Sequence, residues 1–225
     1  MQVCKLKFRN MLVLATALAC LQAIQAQEIN SNLAMVLNTP VGSTSEVVGT
    51  GWGAVGGIGY SINERNAVIG EFMWNRMYPS GSVLQPLQTA AASPSGSLNG
   101  NSNLYALTGN YRYELRGRML GTYLIGGGGW YFRKNWLSRE ISAGTGTVCT
   151  PAWLWWGFTC TSGIVTANQT LATSTTDAWG VNAGIGVTVR VGEAPYRLYT
   201  EARYHYVPTK NLSTQFIAVT VGIRY

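Results

Sequence analysis

The sequence predicts an all-β chain: an eight-stranded antiparallel up-and-down transmembrane β-barrel. Three observations predict it. Strand-length segments alternate between an apolar face and a face of glycine, asparagine, threonine and a few charges. The connections between those segments are short and long in turn. Charged residues make up only 11% of the chain, while glycine stands at 27, tyrosine at 12 and tryptophan at 8; ordinary soluble domains carry roughly 25% charge. No run of about 18 apolar residues is present, so no transmembrane helix is expected.

The predicted strands are 31–38, 50–62, 66–77, 103–115, 119–133, 177–190, 196–206 and 213–225. Most reach the ~9–11 residues that a tilted strand needs to cross a bilayer. The first is short and weakly patterned. The second sends Trp52, Ala54, Ile58 and Tyr60 one way and Gly53, Gly57 and Gly59 the other. In the third, Val68, Phe72 and Trp74 oppose Glu71 and Asn75, and in the fourth Tyr105, Leu107, Tyr111 and Tyr113 oppose Thr108, Asn110 and Arg112. The fifth, "YLIGGGGWYFR", is ambiguous, because four glycines erase the alternation. The sixth sets Trp179, Val181, Ile185, Val187 and Val189 against Gly180, Asn182, Gly184 and Gly186, and the seventh sets Leu198, Ala202, Tyr204 and Tyr206 against Arg197, Glu201, Arg203 and His205. The eighth, "FIAVTVGIRY", places Ile217, Val219, Val221, Ile223 and Tyr225 on one face and Phe216, Ala218, Thr220, Gly222 and Arg224 on the other.

The connections sort by length. "NER", "RGR" and "VGEAP" are short, whereas "TPVGSTSEVVG", a stretch of some 25 residues (78–102), one of some 43 (134–176) and "VPTKNLS" are longer. In an up-and-down barrel every short turn then shares one end and every long loop the other, as in bacterial outer-membrane barrels with short periplasmic turns and long extracellular loops. A soluble calycin is also an eight-stranded barrel, but it needs the bulky face inside and a charged face outside. The polar face here is mostly glycine, asparagine and threonine, a poor solvent face and a good lumen face.

The N-terminal segment reads as a cleaved signal peptide, 1–26, ahead of a barrel domain, 27–225. Lys5, Lys7 and Arg9 form the basic region, "MLVLATALACL" the apolar one, and Ala26 precedes the cut; a lipoprotein cut before Cys20 is the rival reading. Removal lowers sixteen basic residues to thirteen against nine acidic, a formal +4 in place of +7. That balance shows no basic stripe and argues against a nucleic-acid partner. Cleavage also leaves Cys149 and Cys160 as an even pair in an exported chain, which points to a disulfide. No cysteine or histidine cluster offers a metal site, since His205 is the single histidine, and no cofactor is expected.

The apolar export segment, "AVIGEFMW", "YLIGGGGWYF", "LYTEARYHY" and the terminal "FIAVTVGIRY" together resemble the OmpA/OmpX/opacity-type outer-membrane β-barrels of Gram-negative bacteria, some of them grouped with the porins. The resemblance spans nearly the whole mature chain at the level of pattern. It implies residence in the outer membrane among lipid and lipopolysaccharide, and insertion by the barrel-assembly machinery with periplasmic chaperones. A last strand closed by Tyr225 resembles the signal read by that machinery. The absence of a following periplasmic domain gives no support to peptidoglycan anchoring. Some such barrels are lipid A deacylases or acyltransferases that use a histidine and a serine on the outer surface. Here His205 belongs to the inward face and Val207 follows it two residues on, so the deacylase pair is missing and no enzyme is expected.

A narrow eight-stranded barrel is filled by its own side chains, and charges buried there require partners. Glu71 and Glu201 fall near mid-barrel with Arg203 at similar height and Arg112 below. With His205 they form the expected lumen network, a plug whose functional variant is a gated small diffusion channel. In the third long loop, "CTPAWLWWGFTC" sets Trp153, Trp155 and Trp156 inside the cysteine ring. These fit either a contact with an extracellular ligand or surface, or a fold-down onto the barrel mouth and headgroups, where tryptophan is at home. The expected function is a structural or surface-interaction barrel, with a porin-like channel as the alternative and lipid A modification third. The cysteine reading is directly testable. Mass spectrometry of non-reduced mature protein should find Cys149 joined to Cys160, and Cys149→Ser should leave the barrel assembled; two free thiols under oxidising conditions would refute the pairing.

Overall fold

The computed structural model describes residues 29–83, 85, 98–117, 119–151, 158–192, 194–209 and 213–225. The export segment 1–26 and Trp153, Trp155 and Trp156 lie outside the described residues. Eight strands follow in chain order: β1 (Ile29–Pro40), β2 (Gly51–Ser61), β3 (Asn66–Met77), β4 (Leu98–Arg116), β5 (Leu120–Pro151), β6 (Phe158–Arg190), β7 (Arg197–Val207) and β8 (Thr214–Arg224). Each pairs antiparallel with the next, and β1 pairs with β8 to close the barrel. At the seam the backbones of Ser31 and Tyr225 exchange hydrogen bonds, at 2.8 and 3.3 Å. One helical turn, α1 (Thr44–Val47), follows β1. Its Thr44 hydroxyl donates to the Ser213 carbonyl and accepts from the Gln215 amide, tying the first long connection to the last.

Alternation governs both surfaces of the wall. Leu33, Met35, Ile58, Phe72, Leu107, Trp179, Ile185 and Val221 are exposed around the outside, while Asn32, Asn75, Asn110, Asn182 and Thr220 are buried within. An exterior so apolar fits hydrocarbon and not water. Inside, Met77, Leu104, Val207 and Phe216 fill the end nearest the long connections, all of them buried. Strand β1 proves fully patterned, with Asn32, Ala34, Val36 and Asn38 inward. Its alternation is faint in the sequence because its inward residues are small or polar.

The glycine-rich fifth strand resolves as well. Tyr123, Ile125 and Tyr131 are buried inside, and Leu124, Trp130 and Phe132 face out. Space for the two tyrosines comes from glycines on the neighbouring strand. A Cβ at Gly186 would lie 2.2 Å from Cζ of Tyr123, and one at Gly180 would lie 2.9 Å from Cε2 of Tyr131. Large side chains in a narrow lumen demand such gaps beside them.

The third long connection differs from expectation. Most of 134–176 is not a loop but a continuation of β5 and β6, which run 32 and 33 residues. Past Leu98↔Arg139 on one side and Val181↔Tyr206 on the other, these strands pair only with each other, as far as Pro151↔Phe158. From Arg139 to Pro151 the ribbon extends roughly 40 Å at ~3.4 Å per residue. Register shifts at Leu137/Ser138 and Ser142/Gly144 mark where it leaves the wall, with Gly144 at φ 124°. The ribbon is rich in threonine, which favours strands, and in serine, and neither gives an apolar face. A period-two search for one buried side therefore passes over it. Cys149 and Cys160 stand directly opposite each other in this ribbon. They thus lie within paired strands and not in an open ring, though still beyond the barrel wall.

The fit of tyrosine against glycine yields a double-mutant test. Gly186→Ala should lower unfolding stability by about 1–3 kcal/mol through overpacking. In a Tyr123→Ala background the same substitution should cost almost nothing. Urea titration of the detergent-folded barrel, followed by tryptophan fluorescence, measures both; equal costs in the two backgrounds would show that the ring and the glycine are not coupled.

Candidate functional site

Among the described residues, buried charge gathers in the lumen. Glu71 reaches in from β3 and Glu201 from β7, on opposite walls, and both are buried, 3% and 4% exposed. Arg203, two residues along β7 on the same face, lies between them. Its Nη1 donates to Glu71 Oε2 at 2.6 Å, and its Nε and Nη2 approach Glu201 Oε1 at 2.7 and 2.6 Å. The remaining carboxylate capacity is taken by neutral donors. Asn32 Nδ2 donates to Glu71 Oε1 at 2.8 Å, Asn110 Nδ2 to Glu71 Oε2 at 2.6 Å, and the Tyr123 hydroxyl to Glu201 Oε2 at 2.9 Å. Every carboxylate oxygen in this group thus has a donor, the condition under which a buried ion cluster is tolerable.

A second charged group lies toward the short turns. Glu114 Oε2 is 3.4 Å from Arg112 Nε and 3.8 Å from Arg224 Nη1. Arg112 therefore sits in this lower group, beside the ring of Tyr123. Together the two groups hold three buried carboxylates and three buried guanidiniums, so the lumen charge balances. His205 occupies the layer above Arg203. Its ring stacks on Phe216 with centroids 4.6 Å apart and planes 6° apart, and the Tyr131 hydroxyl meets its Nδ1 at 2.8 Å. It thus touches neither carboxylate of the cluster through a hydrogen bond in this arrangement.

The strands bring Glu71, Glu201 and Arg203 into one cluster, set Arg112 below it and His205 above it. Cys149 and Cys160 are carried away on the ribbon, and Tyr225 lies exposed at the β1–β8 seam. Sequence reasoning passed over Glu114, Tyr123, Tyr199 and Asn32. Parity alone reaches Glu114, which continues the inward series of Thr108, Asn110 and Arg112, and reaches Tyr199, which precedes Glu201. Tyr123 has no such signal, because the glycines after it hide the phase of the strand.

Closed strand order, apolar exterior and balanced charged lumen define a small transmembrane β-barrel, and the chain has the fold of the eight-stranded outer-membrane barrels. No known family description matches the chain, and no curated protein does. Solved structures of similar fold include Ail, the attachment invasion locus protein of Yersinia pestis, at 14% identity, covering 88% of this chain and 96% of that one with a TM-score of 0.42. Neisserial surface protein A is similar at 15% identity, with 87% and 95% covered and a TM-score of 0.44. The N-terminal β-barrel domain of Pseudomonas aeruginosa OprF is similar at 13% identity, with 88% and 98% covered and a TM-score of 0.42. The architecture itself rests on this chain's own strand pairing.

The cluster makes an asymmetric prediction. Arg203→Ala strands two buried carboxylates and should cost about 3–5 kcal/mol of unfolding free energy. The triple replacement Glu71→Gln, Glu201→Gln, Arg203→Met removes the charges together and should cost markedly less. Equilibrium urea unfolding in detergent decides; a triple variant less stable than Arg203→Ala would contradict the ion cluster as drawn.

Proposed function

We propose that the chain is a bacterial outer-membrane barrel with a structural or surface-interaction role, whose lumen is plugged by its own side chains. The observation that carries this reading is the Glu71–Arg203–Glu201 chain of contacts, which runs from β3 to β7 across the interior. A solute path would have to break contacts of 2.6 Å between buried charges. The apolar exterior supports residence in a bilayer, and the grouping of all short turns at one end supports periplasmic turns and extracellular loops. Lipid and lipopolysaccharide are then the barrel's surroundings, and the assembly machinery and chaperones its partners during insertion.

The surface role draws support from the ribbon. A barrel with a filled lumen offers its partners only the segments that project from it, and β5 and β6 project furthest. Directly opposed residues of an antiparallel pair have Cα atoms ~4.5–5.5 Å apart, within the range that a disulfide spans. A Cys149–Cys160 bond would fasten the far end of the ribbon and lower the ordering cost of the tryptophan-rich segment it encloses. A non-enzymatic role is supported by His205, which is buried in the lumen between Tyr131 and Phe216 and not presented to lipid.

Planar-bilayer recording on the refolded barrel tests the plug. The parent protein should show no steady conductance, and Arg203→Ala should raise the frequency of openings. Steady porin-like conductance by the parent protein would replace this reading with the channel.

A further inference from the structure

Arginine is distributed unevenly along the barrel axis. The three short connections and the strand ends beside them carry seven arginines and no lysine, against three glutamates. Three of these arginines stand in file. Arg190 on β6 is directly opposite Arg197 on β7, and Arg197 is directly opposite Arg224 on β8. All three share the parity of the lumen face, with Thr188 and Tyr199 the next inward residues. Like charges directly opposed on neighbouring strands are destabilising, so a row of three calls for a compensating anion.

Compensation among the described residues is thin. Among the described residues Arg224 has Glu114 as its ionic partner at 3.8 Å, and the same carboxylate oxygen lies 3.4 Å from Arg112. The Arg224 guanidinium rests against the rings of Tyr123 and Tyr199, 4.5 and 4.8 Å from their centroids. Those rings fix its position, and the Tyr123 hydroxyl is an acceptor for one face of the guanidinium only. Arg224 is 95% buried, yet its Nε and Nη1 have no hydrogen-bond partner among the described residues, and neither does Nη1 of Arg197. Buried donors without acceptors are costly, and here they converge from adjacent strands.

We propose that Arg190, Arg197 and Arg224 form an anion site at the short-turn mouth of the barrel that takes a phosphate group. The geometry favours phosphate over carboxylate. A carboxylate presents two coplanar oxygens and satisfies one guanidinium fork, whereas phosphate presents oxygens in several planes and can meet forks from three strands. The charge count agrees: the three buried carboxylates balance Arg112, Arg203 and Arg224, so of this row Arg190 and Arg197 remain over among the described residues, and a phosphate dianion offsets the two. Arginine in place of lysine fits bidentate recognition. Burial rises in steps from exposed Arg190 through half-buried Arg197 to buried Arg224, so the site opens to the mouth and closes inward. Free phosphate and the phosphomonoester headgroup of a lipid share this chemistry.

The test uses the whole refolded barrel in a non-ionic detergent and phosphate-free buffer. Phosphorus NMR linewidth and thermal unfolding are followed while inorganic phosphate is added, and separately while micelles are doped with phosphatidic acid, with phosphatidylcholine as the control. Saturable broadening with a rise in Tm is expected. Arg197→Gln should weaken binding at least 10-fold and yet leave the phosphate-free barrel no less stable than the parent, because it relieves an opposed pair of charges; a purely structural arginine would not behave so. Arg224→Gln should weaken binding likewise, and where its burial prevents folding the exposed Arg190→Gln takes its place, with the same weakening expected. Saturation by inorganic phosphate assigns the site to a solute, and saturation by phosphatidic acid alone assigns it to a lipid headgroup. Absence of saturation with both, or affinity unchanged by Arg190→Gln and Arg197→Gln, overturns the proposal.

Discussion

Eight strands close on an interior just wide enough for side chains, and that width constrains the rest of the molecule. A wider barrel could leave its polar residues in water. This one must pack them against each other, so each inward residue is chosen against its neighbours across the wall and across the lumen. Tyr123 and Tyr131 project in from β5 only because Gly186 and Gly180 on β6 leave room beside them. Glu71 and Glu201 share the interior only because Arg203 fits between them and because Asn32, Asn110 and Tyr123 supply the remaining donors. The high glycine content and the sparse, paired charges are two consequences of the same confinement.

Most of the wall is legible in the sequence because one face meets hydrocarbon and the other meets the lumen. Alternation along β2, β3 and β6–β8 identifies Phe72, Val181 and Val219 as outward and Glu71, Asn182 and Arg203 as inward, and burial agrees at each. The same contrast explains the failures. In β5 the run Gly126–Gly129 carries no side chains, so the phase on either side of it cannot be joined by pattern. In the ribbon both faces meet water, so no alternation exists to find, although threonine and β-branched residues favour strands throughout. The charged cluster was legible in its members but not in its grouping. Sequence parity gives Arg112 and Arg203 the same status; register across the barrel sets Arg112 below Arg203, beside Glu114 two residues along its own strand.

The two ends of the barrel have different chemistry. Toward the long connections the lumen is closed by Met77, Leu104, Val207 and Phe216, with His205 stacked against Phe216 from the neighbouring strand. Toward the short turns it is lined by arginine and tyrosine. An apolar cap at one end and a cationic mouth at the other make the interior directional, with the Arg203 cluster as the boundary between them. The ribbon continues the wall at the apolar end, where β5 and β6 outrun every other strand.

Buried ion clusters rarely add stability over apolar residues of similar shape, so the presence of three carboxylates and three guanidiniums in this lumen needs another account. Strand orientation supplies one. A shift of register by one residue would turn the whole inward set of a strand toward lipid. On strands such as β2, whose inward residues include Gly53, Gly57 and Gly59, the residues that inversion would turn to hydrocarbon are mostly small, so lipid contact alone opposes it little. On β3, β4, β7 and β8 it would expose Glu71, Arg112, Arg203 or Arg224, and a basic side chain facing the bilayer midplane costs about 2–4 kcal/mol. The charges sit on strands distributed around the ring, and the uncharged β1 and β2 are paired between β8 and β3. Each charged strand fixes its own facing, and backbone pairing then imposes the phase on its neighbours. The cluster thus specifies which face of the sheet turns inward, at a cost in desolvation that the hydrogen bonds around Glu71, Arg203 and Glu201 keep small.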